Sequence, residues 1–572
     1  MATPSTPPGR DRAAVSELRS RPSAQVLLIG GGINGLAVFR DLALQGVDVV
    51  LVERADFASG ASAASSHMIH GGIRYLENGE LRLVRESVRE RNLLLKLAPH
   101  FVKPLETTIP IYSTFSGILA APFRLLTHRQ GKPKERGALL IKVGLTLYDL
   151  FSRDGGSVPR HRFHGRSKSL VALPKLNPGV KYTATYFDAS VHDPERLALD
   201  VLLDGLATGD RARAANYVSA VGSDENGVIL EDLESGERFT MTADVVVNAS
   251  GPWTDLTNER LGAKTAYLGG TKGSHIVLDH PELLEATRGR EIFFENNDGR
   301  IVLIYPLNGR VLIGTTDLEA DARQPAVCTD AEVDYFIDLV KAVFPTIAIE
   351  REQIVYRYSG IRPLPTHDDL QPGFVSRDYR TVVGTLEPSG AVLLSLVGGK
   401  WTTFRALGEQ LADQVLELLG SRRVVDTATL AIGGGKGYPI DQAAWQRREL
   451  AGQDARRQPA LFERYGTRSA EVVAYLADGQ DEPVIPGSLS SREVDYMIEV
   501  EYARHVGDIL FRRTNIAFIG GVTIEVLEAI GAAMAARLGW QAGRLAEEIE
   551  SVAVTLRDLH GVRLEVRQGP GR

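Results

Sequence analysis

A glycine-rich turn between two predicted elements constrains the N-terminal part of the chain most strongly. Residues 25–30 form a short apolar run, which is typical of a buried parallel strand. Gly30, Gly32 and Gly35 then give the pattern G-x-G-x-x-G. Residues 34–45 carry apolar side chains on one side, and Gly46 is a residue type that commonly ends a helix. A second apolar run ends at Glu53, so the order predicts a βαβ unit with parallel strands.

The three glycines and Glu53 point to a dinucleotide site. The first glycine permits a tight turn, the second lets the backbone approach a pyrophosphate, and the third lets helix and strand pack closely. The phosphates would lie on free N–H groups at the helix N-terminus, with Asn34 as a polar wall. Glu53 stands about 20 residues further on, where an acid binds ribose hydroxyls. The pattern leaves NAD and FAD open, and the acid disfavours NADP. A glycine turn in another α/β unit is the alternative.

Composition excludes several classes of protein. The 572 residues are 44% hydrophobic and 24% charged, so the chain can bury a large core. A net charge of −7 argues against bulk binding of nucleic acid. Cys328 is the only cysteine, which rules out an internal disulfide, a CxxC pair and a Cys-rich zinc site, and it favours a reducing compartment. We expect no metal site. No run of about 18 apolar residues predicts a spanning helix.

The ends of the chain and its C-terminal third differ in character from the rest. Residues 1–23 are rich in Pro, Ser and Arg, and we expect a disordered tail there in preference to a transit peptide. Patterns typical of helices occupy 80–98, 192–207 and 402–419, whereas 215–250 and 265–400 are rich in strand patterns. From about residue 440 helical patterns dominate, including 491–511 and 523–538. Residues 561–572 are predicted to be a second tail.

Further motifs identify a family resemblance. In chain order they are VLLIGGGINGLAVFRDLALQG, SSHMIHGGIRYLENGELRLVRESVRERNLLLKLAPH, VVNASGPWTD, KGSHIVL, IGTTD, YSGIRPL, SRDY, LLSLVGGKWTTFRALGE and FRRTNIAF. Through them the chain resembles the aerobic-type FAD-dependent glycerol-3-phosphate dehydrogenases, within the glycine/D-amino-acid oxidase-like flavoproteins. The chain departs from the family at Ala61-Ser62-Ala63 and at Ser65-Ser66-His67, where His67 replaces the usual lysine. An imidazole titrates near pH ~6.5, so a permanent cation near the flavin is lost.

The resemblance implies a fold of mixed α/β and α+β class. A Rossmann-like FAD-binding domain is expected to be interleaved with a β-rich substrate domain within residues 24–425, followed by a helical C-terminal domain at 440–560. The FAD-binding part would comprise mainly 24–110, 192–265 and 380–420. The substrate-binding part would comprise mainly 111–191 and 266–379.

FAD is the cofactor that the resemblance implies. The residues expected to contact it are small or polar, or expose their backbone: Gly30, Gly32, Asn34, Gly35, Glu53, Ser62, Ser65, Ser66, His67, Gly71, Gly72, Gly251, Gly398, Gly399, Lys400 and Thr402. The segment from Gly398 begins a predicted helix whose N-terminus would stabilise negative charge on the reduced flavin. A simple N-cap by Thr402 is the alternative, and both can hold.

The substrate implied by the resemblance is sn-glycerol 3-phosphate. Arginine suits bidentate binding of a phosphate dianion. The expected substrate-binding residues are Arg74, Tyr75, Thr315, Arg362, Arg377 and Lys400. Solvated surface arginine is the alternative interpretation for each Arg.

The implied reaction is oxidation of the C2 alcohol to dihydroxyacetone phosphate, with hydride transfer to flavin N5. His70 and His275 are the candidate bases for the C2 hydroxyl proton, and the sequence does not rank them. Arg362 would stabilise the developing alkoxide, and Lys400 is a further catalytic candidate. A hydrogen-bonded structural histidine is the alternative in each case.

The family passes its electrons to membrane quinone. Residues 120–142 carry six cations against Glu135 alone: Arg124, Arg129, Lys132, Lys134, Arg136 and Lys142. Flanking apolar residues make this segment similar to an interfacial anchor for an anionic membrane, although a solvated basic loop is the alternative. We therefore expect a cytoplasmic homodimer attached peripherally to the inner face of the cell membrane. A glycerol-3-phosphate oxidase that uses oxygen and a catalytically silent flavin-fold sensor or scaffold remain as other functions.

Overall fold

The computed structural model describes residues 12–72, 81–113, 138–152, 158–295, 301–366 and 378–564. The helices are α1 (Ala13–Ser20), α2 (Ile33–Leu44), α3 (Leu81–Leu97), α4 (Ala138–Ser152), α5 (Arg166–Ala172), α6 (Pro194–Leu206), α7 (Thr254–Arg260), α8 (Pro281–Ala286), α9 (Asp330–Val343), α10 (Phe404–Leu418), α11 (Gln442–Glu449), α12 (Arg457–Tyr465), α13 (Ser469–Leu476), α14 (Ser491–Glu499), α15 (Val506–Asp508), α16 (Ile524–Leu538) and α17 (Ala542–His560). The strands are β1 (Ser23–Ile29), β2 (Val49–Val52), β3 (Met68–Ile69), β4 (Val102–Ile111), β5 (Arg162–Gly165), β6 (Tyr182–Val191), β7 (Ala212–Ala215), β8 (Val218–Asp224), β9 (Gly227–Asp232), β10 (Arg238–Asn248), β11 (Leu268–Leu278), β12 (Glu291–Glu295), β13 (Ile301–Leu307), β14 (Arg310–Gly314), β15 (Leu318–Glu319), β16 (Ile354–Pro365), β17 (Arg380–Leu386), β18 (Ala391–Val397), β19 (Pro483–Ile485) and β20 (Leu489–Ser490).

The first sheet contains the predicted βαβ unit. Its strand order is β17-β18-β10-β1-β2-β7, and β18, β10, β1, β2 and β7 run parallel. Strand β1 leads into α2 and then β2, as the glycine pattern predicts. Helix α2 packs with α6 and α10 over a core of buried residues such as Leu36, Phe39 and Leu407. The strands come from widely separated parts of the chain, which confirms the interleaved Rossmann-like arrangement.

The second sheet follows the order β15-β11-β14-β13-β12-β4-β6-β3, with β16 paired to β11 and β5 to β6. This sheet is the expected β-rich part, but it begins earlier in the chain than residue 111. Strand β4 pairs with β6 from Val102 opposite Val191, and β3 pairs with β6 at Met68 opposite Ser190. Strands β3 and β4 therefore lie in the second sheet, although their residues fall within the range predicted mainly for the cofactor part, 24–110. Backbone pairing with β6, a long-range contact, decides to which sheet β3 and β4 belong.

Helices α11 to α17 pack against the second sheet. Buried residues of this helical region, among them Leu461 and Met497, share one core with Tyr305 and Tyr356 of the sheet. The helix predicted over 491–511 is interrupted: α14 ends at Glu499, and Tyr502 has a φ of 62°. Glu501 instead accepts hydrogen bonds from both terminal nitrogens of Arg196, at 2.7 and 2.8 Å. This buried pair joins α6 to the helical region.

The expected disordered tail of residues 1–23 is wrong from residue 12 onward. Residues 13–20 form α1, in which Val15 and Leu18 are buried against the first sheet. These two residues are three positions apart and lie on one face of the helix. Arg12 donates to Asp232 at 2.5 Å and anchors the start of the helix. At the other end, residues 561–564 follow α17, and the remaining part of the predicted tail lies outside the described residues.

The FRRTNIAF motif connects the helical region to the first sheet through buried ion pairs. Arg513 donates to both carboxylate oxygens of Asp56, at 2.5 and 2.9 Å, and Arg512 donates to the same carboxylate. Burial alone would raise the pKa of Asp56, but the two guanidinium groups outweigh it and hold that pKa well below its usual range. The motif therefore acts in domain docking.

Candidate active site

The loop between β2 and β3 connects the two sheets and forms one wall of the site. Ser62 Oγ accepts a hydrogen bond from the Ile33 N–H in the first turn of α2, at 2.9 Å. Further along, Tyr358 donates its hydroxyl proton to Ser65 O at 2.8 Å, on the second sheet. The loop thus holds serines at both the glycine turn and the substrate-side sheet.

The glycine turn fits a dinucleotide. Gly30 has a φ of +115°, and a Cβ built there would lie 2.6 Å from Ala249 O. A Cβ on Gly399, whose φ is +113°, would lie 2.4 Å from Asn34 Nδ2. Asn34 Oδ1 is buried and has no hydrogen-bond partner among the described residues. An uncompensated buried acceptor is costly, so a bound group with a hydrogen-bond donor is the natural partner of this turn.

Glu53 closes the end of β2 beside the turn. Its carboxylate accepts hydrogen bonds from the Gly31 N–H at 2.6 Å and the Ala55 N–H at 2.9 Å. Burial raises its pKa, against the lowering effect of these two bonds. Each carboxylate oxygen has a second lone pair that a ribose hydroxyl can use. Gly251, which starts the 3₁₀ turn Gly251–Trp253 after β10, has a φ of 60°, a conformation that favours glycine.

The segment 398–403 differs in detail from the predicted helix start. A 3₁₀ turn spans Trp401–Thr403, and α10 begins at Phe404, so Thr402 is not the N-cap residue. Its hydroxyl instead accepts the His70 N–H at 3.2 Å. Lys400 Nζ donates to Ser87 Oγ of α3 at 2.5 Å. The two family motifs around His70 and Lys400 therefore meet, although they are far apart in the sequence.

Gly71 lies beside a buried polar cluster. Its N–H donates to Tyr148 Oη and to Asp188 Oδ1, each at 3.0 Å. Arg91 donates to the same Asp188 oxygen at 2.9 Å. A Cβ on Gly71 would lie 2.2 Å from Tyr148 Oη, so this close approach requires a glycine. The cluster holds the backbone next to His70 in place.

One face of the second sheet presents His275. In the register of β11 with its neighbours, His275 lies opposite Gly314 of β14 and Tyr358 of β16. Its ring stacks on Tyr358, with centroids 4.8 Å apart and planes inclined by 14°. A Cβ on Gly314 would lie 2.1 Å from the imidazole. The ring is therefore held between a glycine and an aromatic face.

The hydrogen-bonding state of His275 suits a neutral imidazole. Its Nε2 lies 2.8 Å from Ser66 Oγ, while its buried Nδ1 has no partner among the described residues. Burial first, and then the charge of Arg362 and the neighbouring His67, hold the pKa of His275 well below 6.5. The ring is thus unprotonated at neutral pH and has a nitrogen available as a proton acceptor.

Arg362 lies on the same face of the second sheet as His275, and the glycine pair Gly273 and Gly360 separates the two side chains. Its guanidinium donates to Asp317 Oδ1 at 2.7 Å and to Thr315 Oγ1 at 3.0 Å. A Cβ on Gly273 would lie 2.1 Å from Arg362 Nη2, so the absence of a side chain there makes room for the guanidinium. Gly360, opposite Gly273 in the register, packs against Ala64 of the loop. The face therefore offers a cation and a neutral imidazole separated by glycine backbone.

His67 does not supply a cation. Its Nδ1 lies 3.1 Å from Val191 O and 3.2 Å from His192 O, and its ring packs near Phe518. Burial lowers its pKa to about 4 despite these hydrogen bonds. The loss of the usual lysine at this position is therefore not compensated by a protonated histidine at neutral pH.

The structure brings together many of the residues predicted from the sequence, but not all can be located. Arg74, Tyr75 and Arg377 lie outside the described residues, as do residues 120–137 of the basic segment. Sequence reasoning missed Tyr358 and Asp317, which orient His275 and Arg362. Both stand in quoted motifs, and the period-2 alternation along β16 would have placed Tyr358 on the face of Arg362.

Comparisons with known proteins agree with this architecture. Residues 25–413 match the model of the FAD dependent oxidoreductases, and residues 425–545 match the C-terminal domain of alpha-glycerophosphate oxidase. The chain is 34% identical to a glycerol-3-phosphate dehydrogenase of Synechocystis, over 92% of this chain and 95% of that protein. It is 32% identical to a D-erythritol 1-phosphate dehydrogenase of Brucella abortus, over 86% of this chain and 94% of that protein.

A solved structure shares the fold. The glycerol-3-phosphate dehydrogenase of Bacillus halodurans, complexed with FAD, superposes with a TM-score of 0.73 at 24% identity, covering 95% of this chain and 97% of that one. The glycine turn, Glu53 and the unpartnered Asn34 Oδ1 fit the same cofactor, FAD. The chain therefore belongs to the FAD-dependent glycerol-3-phosphate dehydrogenase family.

Proposed function

We propose that this protein oxidises sn-glycerol 3-phosphate at C2 to dihydroxyacetone phosphate and passes the electrons to membrane quinone. FAD, when bound, supplies the acceptor for the hydride that leaves C2. The observation that carries the proposal is the pairing of Arg362 with the neutral His275 on one face of the second sheet, separated by Gly273 and Gly360.

His275 is the preferred group for the proton of the C2 hydroxyl. Oxidation of the alcohol removes a hydride from carbon and a proton from oxygen, so the site needs a proton acceptor. The ring is unprotonated at neutral pH, and Ser66 Oγ is within hydrogen-bond distance of Nε2. His70 stays the second candidate, since its backbone is held beside Thr402.

Arg362 suits the phosphate end of the substrate. Gly273 and His275 are two residues apart on β11, which corresponds to about 7 Å along a strand. This spacing is comparable with the length of a three-carbon phosphate ester. Thr315 contributes a hydroxyl at the same end. Arg74, Arg377 and Lys400 are proposed as further contacts to the phosphate.

Quinone as the acceptor is supported by features near the basic segment. Helix α4 follows directly after residues 120–137, and its Leu139 and Val143 are about half exposed, at 49% and 51%. These two apolar side chains flank Lys142, as expected of a helix that meets an anionic membrane. Among the described residues, no helix is long and apolar enough to cross a bilayer. Attachment would then be peripheral, at the cytoplasmic face, with the protein as a homodimer.

The test is anaerobic addition of sn-glycerol 3-phosphate to the purified yellow holoenzyme. We expect bleaching of the flavin band near ~450 nm, carried by the cofactor, with glycerol as the inactive control. Bleaching by D-erythritol 1-phosphate alone would transfer the substrate assignment to that sugar phosphate, the substrate named for the Brucella relative. Absence of bleaching with either compound would favour a sensor or scaffold.

The acceptor is tested separately under air. A dehydrogenase should form little hydrogen peroxide with sn-glycerol 3-phosphate and should reduce a soluble quinone analogue. Rapid peroxide formation instead would identify an oxidase, the activity in the name of the matching C-terminal domain model.

A further inference from the structure

A buried carboxylate lies behind the sheet face that carries His275 and Arg362. Glu332, in the first turn of α9, is 4% exposed. Its Oε2 accepts from Lys272 Nζ at 2.8 Å, from the Thr329 N–H at 2.9 Å and from Thr329 Oγ1 at 3.0 Å. Its Oε1 accepts from Ser274 Oγ and Thr316 Oγ1, each at 2.7 Å. One carboxylate thus receives five hydrogen bonds.

These donors come from the segments that build the site. Lys272 and Ser274 flank Gly273 on β11, and Ser274 Oγ lies 2.7 Å from Ser359 Oγ on β16. Alternation along the strands puts Ser274 on the face opposite His275. The carboxylate therefore connects β11 directly, and β16 through a serine pair, from the side away from the substrate.

Thr316 links Glu332 to Arg362. Its hydroxyl donates to Glu332 at 2.7 Å and accepts the Ser274 N–H at 3.0 Å, so its single proton is committed to the carboxylate. The residues on either side of it, Thr315 and Asp317, both have side chains that accept hydrogen bonds from Arg362. The carboxylate thus determines where the segment that holds the guanidinium can lie.

We propose that Glu332 is a positioning residue for the reaction: it fixes the 315–317 segment and thereby the guanidinium of Arg362 toward the phosphate of the substrate. This role rests on the proposed function and deepens it, since Glu332 lies outside all the family motifs of the chain. Helix capping alone needs only the Thr329 contacts, whereas three of the five donors belong to the site segments.

An amide cannot replace the carboxylate. All five partners donate to Glu332, and a glutamine side chain offers one acceptor oxygen and an NH₂ group that can only donate. Glu332→Gln must therefore turn its NH₂ toward Thr316 and Ser274 or toward Lys272 and Thr329. Burial raises the pKa of Glu332, but the hydrogen bonds from Lys272, Thr329, Ser274 and Thr316 outweigh it and lower that pKa to about 2. The group is ionised throughout the working pH range.

The experiment compares Glu332→Gln and the milder Thr316→Val with wild-type holoenzyme. We expect KM for sn-glycerol 3-phosphate to rise about 10- to 100-fold, as for a small displacement of a positioning group, with a smaller change in kcat. The matched control is Glu493→Gln, a buried carboxylate of the helical region that accepts from Arg457, Arg464 and Tyr465. It should lower the melting temperature and leave KM and kcat unchanged.

A double-mutant cycle with Arg362→Lys separates positioning from general stabilisation. If Glu332 acts through Arg362, Glu332→Gln should change kcat/KM much less in the Arg362→Lys background than in the wild type. The proposal would be overturned if Glu332→Gln lowered kcat/KM by the same factor in the Arg362→Lys background as in the wild type. It would also be overturned if Glu332→Gln and Thr316→Val both kept the wild-type KM and kcat.

Failure of the proposed function would look different. In that case the wild-type flavin is not bleached by sn-glycerol 3-phosphate. The positioning role is then decided by calorimetric titration with inorganic phosphate, which should bind more weakly to Glu332→Gln than to wild type or Glu493→Gln. Equal affinities would reject it.

Discussion

At the scale of single residues, the surroundings of His275 determine its proton chemistry. The ring is enclosed by Tyr358, by the space that Gly314 leaves open and by Ser66. Charging a buried imidazole beside a guanidinium costs free energy, so the neutral form is favoured. A histidine on an exposed strand would titrate near pH ~6.5.

This environment predicts an unusual pH profile. Because the pKa of His275 lies well below 6.5, kcat at saturating sn-glycerol 3-phosphate should hold as the pH falls through about 6.5, where an unperturbed histidine base would lose half its activity. Steady-state rates between pH 5.5 and 8, on protein whose flavin absorbance is unchanged, provide the measurement.

His275→Asn completes the test. The asparagine cannot take up the proton, so we expect kcat to fall about 100-fold or more with FAD still bound. His161→Asn, which removes a half-buried histidine paired with Asp149, serves as the control and should keep its rate. An acid limb centred on pH 6.5, or a His275→Asn variant with normal kcat, would contradict the assignment.

At the scale of elements, alternation along β11 and β16 places the candidate site residues on one face of the sheet and the residues that bind Glu332 on the other. Odd-numbered positions of β11 put Gly273 and His275 on the sheet face that carries Arg362, while Lys272 and Ser274 point to Glu332 on the other face. A one-residue slip of either strand would exchange these faces. The fully satisfied network around Glu332 thus makes register and site geometry depend on each other.

Another element contact makes stability depend on pH. His505, at the start of α15, lies 2.8 Å from a Glu548 oxygen of α17 and 3.0 Å from a Glu234 oxygen near β9. Burial alone would lower the pKa of His505, but these two carboxylates outweigh it and raise it to about 10. The protonated ring therefore joins the helical region to the first sheet's hairpin.

The raised pKa of His505 determines whether stability rises or falls with pH. The protonated His505 ring stabilises the folded state. This contribution to the free energy of unfolding is fully present below the unfolded pKa of His505, near 6.5, and is lost as the pH rises toward its folded pKa of about 10. We expect the free energy of unfolding of wild type to fall over this range more steeply than that of His505→Gln. Urea midpoints at several pH values measure it, and parallel curves for the two proteins would contradict the prediction.

At the scale of the whole molecule, buried ion pairs join the helical region to the cofactor part. Asp56 with Arg513, and Arg196 with Glu501, connect the helical region to the cofactor part at points where water is excluded. Removing one partner of such a pair leaves an uncompensated buried charge, which is strongly destabilising. The helical region is thus part of one folded unit.

The proposed membrane attachment also depends on the charge of the whole molecule. The net charge is −7, so binding to anionic lipid has to come from a local patch. We expect the protein to sediment with vesicles that contain anionic lipid, and binding to weaken as salt is added. Reversing Lys132, Lys134 and Arg136 to glutamate should abolish it.

The control for vesicle binding changes the same net charge elsewhere. Arg422, Arg447 and Arg448 are exposed, and their reversal to glutamate should leave binding intact. Equal loss in both triple variants would show that overall charge matters and not the 120–142 segment. Unchanged binding in both would reject this segment as the anchor.

The sequence alone determined the βαβ unit, the cofactor class through its family motifs and the identity of most candidate site residues. These depend on local spacing, because a turn, a helix start and an acid at the end of a strand act within about thirty residues. The helical spacing of apolar residues likewise predicted the helical C-terminal region.

Only the tertiary structure decided the roles that depend on long-range contacts. Helix α1 was not predicted because its two buried residues, Val15 and Leu18, acquire a partner only when the first sheet is formed. Glu332 carries no motif, and its role arises because β11, β16 and the 315–317 segment converge on it. The low pKa of His275 has the same origin: burial and the charge of Arg362 are properties of the folded protein, and no local pattern encodes them.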